Sequence, residues 1–123
     1  MTRDEYNVFC AALPATTHVV QWGGADVWKV GGKVFAIAGW SKSEQPAYSF
    51  KVSEQNFHFL KDGPGYRPAP YLASRGFKWI QKYDNFGVDD EPLRYYLTQS
   101  HHLVSLGLTK MKQKELGLNQ NHT

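Results

Sequence analysis

The sequence predicts an α+β fold, a two-layer α/β sandwich in which helices pack on one face of a mainly antiparallel sheet. Three observations lead there. Short runs rich in β-branched and aromatic residues, HVVQW (18–22), DVWKV (26–30), KVFAIAG (33–39) and AYSFKV (47–52), are separated by glycine or polar punctuation. Glycine pairs at 23–24 and 31–32 are spaced as two successive hairpin turns, which makes the first strands antiparallel. Stripes at helical spacing flank this block, so helices are available to cover one face of the sheet.

Each element has its own signal. Thr2 with Glu5 three residues on forms a capping box, Tyr6, Phe9, Cys10 and Leu13 recur at helical steps, and Pro14 ends the helix. The four strand runs follow, with 41–46 as a longer connection. Ser53 caps a second helix, and Val52 and Phe57 have the spacing of a hydrophobic staple. That helix ends near Asp62, and GPGYRPAP (63–70) fits neither a regular helix nor a central strand. Residues 77–82 read as a further strand. Asp89, Asp90 and Glu91 place negative charge at the start of a last helix with Pro92 in its first turn, and Leu93, Tyr96, Leu97, Ser100, Leu103 and Val104 form its inward stripe. The domain is expected to span 1–109, with a basic, flexible tail over 110–123.

Composition narrows the function classes. The chain has 123 residues, enough for one domain, and 41% apolar with 20% charged residues is a globular balance. Nothing in it reads as a signal peptide or a membrane span, and the lone Cys10 permits no internal disulfide, so a cytoplasmic, monomeric protein is expected. Cys10 reads as core. Charge is uneven: residues 29–82 carry nine Lys or Arg against three Asp or Glu. Such a segment suits an anionic partner.

The stretch VWKVGGKVFAIAGW (27–40) tests the nucleotide-binding alternative. A Walker loop needs a glycine five residues before Gly32 and Ser or Thr after Lys33, whereas Val27 and Val34 stand there. A strand follows, not a helix, so Gly31 and Gly32 serve a hairpin turn. His101 and His102 are adjacent on a helix and diverge by about 100°, which does not suit a shared metal. Asp89, Asp90 and Glu91 fit a helix start better than acid–base chemistry. The expectation is no catalytic residues, no metal and no cofactor.

Basic residues interleaved with aromatics remain. Lys29 and Lys33 flank the 31–32 turn, Lys42 lies beyond the third strand, Lys51 is on the fourth, and Arg67 and Arg75 bracket the proline-rich loop. Lys78 and Lys82 alternate with Phe77 and Trp79, so they share one strand face. Basic hairpins of this kind grip phosphates. The alternative is a solvated sheet face with lysine stems lying along apolar surface.

The motifs Trp22-Gly23, WKVGGKVFA (28–36), RPAPYLA (67–73) and RGF (75–77), with a closing helix behind an acidic, proline-containing start, resemble those of the MmcQ/YjbR family over residues 2–108. Where many members carry Trp this chain has Phe77, with Trp79 two residues on, and Gly24 stands where His often follows Trp-Gly. The resemblance implies a double-wing α/β sandwich with projecting hairpins, kinship with secretion-chaperone-like folds, and a DNA-binding label drawn from the winged shape. Fold does not establish function. The expected role is non-catalytic DNA binding, with Lys29, Lys33, Lys42 and Arg75 on phosphates and Lys78 and Lys82 extending the patch. A protein-interaction module using the sheet face or an edge strand is the alternative. A third reading is a small-ligand cleft lined by Tyr66, Tyr71 and Trp79.

Overall fold

The structure is a computed structural model that describes residues 1–39, 46–70, 72–84 and 90–120. Its first helix, α1 (Arg3–Ala11), starts as the sequence predicts: Thr2 accepts from the Glu5 backbone N–H, and the Glu5 carboxylate accepts from the Thr2 N–H. Six strands follow in one sheet, β1 (Thr16–Gln21), β2 (Ala25–Val30), β3 (Lys33–Ala38), β4 (Tyr48–Lys51), β5 (Tyr66–Pro68) and β6 (Trp79–Lys82), in the spatial order β1-β2-β3-β4-β6-β5. Every paired neighbour is antiparallel. Helix α2 (Glu54–Leu60), capped by Ser53, links β4 to β5, and α3 (Glu91–Leu106) and α4 (Lys110–Glu115) close the chain.

The 31–32 turn is a hairpin turn because both glycines take positive φ, +58° and +83°. Gly31 has a second reason: a Cβ there would lie 2.6 Å from Leu108 Cδ1. The proline-rich 63–70 segment contributes β5, a three-residue strand at the sheet edge. An edge tolerates Pro68, whose missing N–H costs no ladder bond there.

A bulge in β3 sets the two faces of the sheet. Trp28 pairs with Ala36 and Lys29 with Val34, so Phe35 is an extra residue. Phe35 and Ala36 thereby both face the helices, fully buried, in a core with Tyr6, Tyr48, Phe50, Ile80, Leu93 and Leu97. The bulge interrupts the β3–β4 ladder beyond the Ala36–Phe50 pair. Ser100 of α3 fills the break: its hydroxyl donates to the Phe35 carbonyl at 2.6 Å and accepts from the Lys51 N–H at 2.8 Å.

The tail departs from the sequence expectation. Thr109 caps α4, the buried Gln113 side chain donates to the Leu108 carbonyl at 2.8 Å, and Leu118 is packed into the helix-side core. The lysines of 110–114 are solvent-facing, and they mask the anchoring pattern of Leu108, Gln113, Leu116 and Leu118 in the same segment.

Candidate nucleic-acid interface

Strand alternation divides the cations between a helix-side face and the opposite one, which is open only at its margin: Ala25, Val27, Ile37, Ser49, Trp79 and Gln81 on it are buried, and Ala69 and Leu72 pack there. On the covered, helix-side face, Asp26 is the focus of a polar cluster. Arg3 donates to its carboxylate through Nε at 2.9 Å and Nη2 at 2.6 Å, and His18 Nε2 lies 2.8 Å away. Burial works to raise the Asp26 pKa, but hydrogen bonds from Arg3, His18 and Asn7 and the charge of Arg3 outweigh it and hold it below the usual carboxylate value. This cluster ties α1 to the β1–β2 hairpin, and sequence reading missed it because its members lie 8 and 23 residues apart. Asp90 precedes α3 as expected but does not cap it: its carboxylate accepts from the Met1 ammonium at 2.8 Å.

Three of the expected phosphate contacts turn to this covered side. Lys82 pairs across the ladder with Tyr48 and is only 7% exposed, so it presents no ammonium to a surface ligand. Lys78 shares its side of the strand, as the alternation predicts, but its ammonium lies 4.9 Å from the centre of the Phe57 ring on α2. Lys33 is exposed at the hairpin tip and reaches the Gly107 carbonyl at 3.4 Å, where the C-terminal end of α3 favours a cation. Lys42 lies outside the described residues, as do Trp40, Tyr71 and Asp89.

The open face carries the rest. Lys29 lies across from Val34, Lys51 across from Trp79, and Arg67 across from Gln81, to whose side-chain oxygen it donates at 2.8 Å. Arg75 is exposed at the end of a 3₁₀ turn, Ala73–Arg75, which Gly76 closes in the left-handed region. Nothing in the sequence separates Lys51 and Arg67 from the other cations, because the face each takes follows from ladder register and from what packs on the sheet.

The described carboxylates are elsewhere. Asp4, Glu5, Glu54, Glu91 and Glu115 are on helices, Asp62, Asp84 and Asp90 flank elements, and Asp26 faces α1. No described strand position of the open face is acidic.

Between these cations runs an apolar groove of about 240 Å³, lined by Trp22, Val34, Ile37, Leu72, Phe77 and Trp79. Trp22 and Phe77 are about half exposed, at 49% and 53%, while Ile37 and Trp79 form the buried floor. The cleft expected from Tyr66, Tyr71 and Trp79 does not assemble. Tyr66 packs on the helix side, its ring 6.4 Å from that of Tyr96, whereas Trp79 belongs to the opposite face.

The remaining candidate groups are structural. Cys10 is fully buried, which pushes its thiol pKa up and away from reactivity. His101 Nε2 donates to the Pro14 carbonyl at 2.7 Å. Among the described residues no three His, Cys, Asp or Glu are grouped to hold a metal, and no helix is long and apolar enough to cross a membrane.

Comparison with known proteins agrees with this architecture. The crystal structure of the Deinococcus radiodurans protein DR2400, which carries a DUF419 domain, is similar with a TM-score of 0.81 and 25% identity, over 99% of this chain and 96% of that one. No curated protein matches the sequence. The YjbR family model matches residues 11–103, most of the chain, and the protein belongs to the YjbR family.

Proposed function

We propose that the cationic margin of the open face is a DNA-binding surface and that the protein acts by binding, without catalysis. The observation that carries this reading is the segregation of charge: Lys29, Lys51, Arg67 and Arg75 gather on or beside one face whose described strand positions hold no carboxylate. Cations on a surface free of like-signed competitors for phosphate raise the local concentration of a polyanion and position it. The contacts fix register on the backbone and not base sequence. Lys29 and Arg75 keep the role that the sequence suggested, Lys51 and Arg67 join them, and Lys78 and Lys82 have no part.

The test is fluorescence anisotropy of a labelled duplex at several salt concentrations. Four phosphate contacts give a log–log salt slope of about −3.6, and reversing two of them with Lys29→Glu/Lys51→Glu brings it near −1.8. Affinity weaker than ~100 μM at low salt, or an unchanged slope in the variant, rules the surface out.

One observation favours a second reading. Among the described residues β1 is an edge of the sheet with no strand on its outer side, and a partner segment could add to it as a further strand. Such a complex would be held by main-chain hydrogen bonds along 16–21 and would be insensitive to the Lys51 and Arg67 side chains.

A further inference from the structure

Resting on the DNA-binding reading, we infer that the apolar groove receives an unpaired base, so that the protein prefers single-stranded DNA to duplex. The register places cations directly beside the groove: Lys29 is the cross-strand neighbour of Val34 and Lys51 of Trp79. Arg75 stands two residues before Phe77. An apolar slot bordered by cations is complementary to a ligand with a flat apolar face and a charged backbone. In a duplex the bases are stacked away and offer the groove nothing, while an unpaired strand can cover the slot and the cations together.

One further feature concerns the groove rim. Trp22 holds a left-handed φ of +53°, an uncommon and costly backbone state for a bulky side chain, and the conformation leaves half its indole exposed at the groove rim.

The experiment compares a labelled oligo-dT of about 12 nucleotides, a base-free oligomer of the same length and a matching duplex, each titrated by anisotropy against the wild-type protein, Trp22→Ala, Phe77→Ala and Lys29→Glu/Lys51→Glu. The expected result is tighter binding of oligo-dT than of the other two. Trp22→Ala and Phe77→Ala each weaken oligo-dT binding about 5-fold to 150-fold and leave duplex binding within about 2-fold. Both side chains are half exposed, so these variants keep the fold, and far-UV circular dichroism checks it. If oligo-dT and the base-free oligomer bind alike, or the aromatic variants bind as wild type does while the charge reversal weakens everything, the groove inference is overturned and the phosphate surface stands. If no oligomer binds at low salt, both fall. Quenching of tryptophan emission by an apolar peptide and not by oligo-dT would assign the groove to a protein partner.

Discussion

Ser100→Ala tests the device that orients the open face. The Ser100 hydroxyl is fully buried and serves two backbone groups, accepting from the Lys51 N–H at 2.8 Å and donating to the Phe35 carbonyl at 2.6 Å. Both groups lost their ladder partners to the bulge. Removing the hydroxyl leaves a donor and an acceptor unsatisfied at about 1–3 kcal/mol each. Lys51 is only partly buried, so the lower half of that range applies, about 2–4 kcal/mol in total. That is a large fraction of the ~5–15 kcal/mol typical of a domain. The assay is equilibrium urea unfolding followed by tryptophan emission and far-UV circular dichroism, where the midpoint should fall with the slope unchanged. A loss below about 0.5 kcal/mol would show that the hydroxyl is replaceable and that the bulge is held by the packing of Phe35 alone.

Two other perturbations separate competing effects. Gly31→Ala and Gly32→Ala both force alanine into the left-handed region, at about 1–2 kcal/mol, but only the first drives a methyl to 2.6 Å from Leu108 Cδ1; nothing lies within 4 Å of the second. Gly31→Ala should therefore be the more destabilising by at least about 1 kcal/mol, and equal midpoints in thermal melts would remove Leu108 from the explanation. Burial lowers the His101 pKa, a shift that the hydrogen bond to Pro14 only partly offsets. Below the ordinary imidazole value the unfolded chain then binds the proton more readily than the folded one, so stability falls as pH drops through that range and levels off below the lowered folded value. Urea midpoints at about pH 7.5 and about pH 5.5 should diverge in the wild type and converge in His101→Gln, which keeps a donor for the Pro14 carbonyl; equal slopes in the two proteins would contradict the sign.

The elements that rest on local chemistry were legible in the sequence. A capping box at Thr2 and Glu5, a paired-glycine turn and a Ser53 cap are determined by residues within a few positions of one another, and the structure has all three. The ordered end of the chain was not legible, because α4 has only six residues and its stability comes from what Leu118 and Gln113 touch. Propensity over so short a helix decides little, and tertiary contact decides the rest.

The site was half legible for a related reason. Alternation correctly put Lys78 and Lys82 together but carried no information about which face they shared. The face is assigned by what packs on it, and Ile80 between them belongs to the helix-side core. One extra residue in β3 then reverses the parity on its far side. Without Phe35 as a bulge, Val34 would turn to the helices and Phe35 to the open side. The groove would lose Val34, and Lys29 would lose the neighbour that puts it on the rim. The bulge whose backbone groups Ser100 satisfies thus sets which β3 residue lies beside Lys29 on the opposite face of the sheet. Sequence can list the cations of this surface, but their arrangement belongs to the ladder.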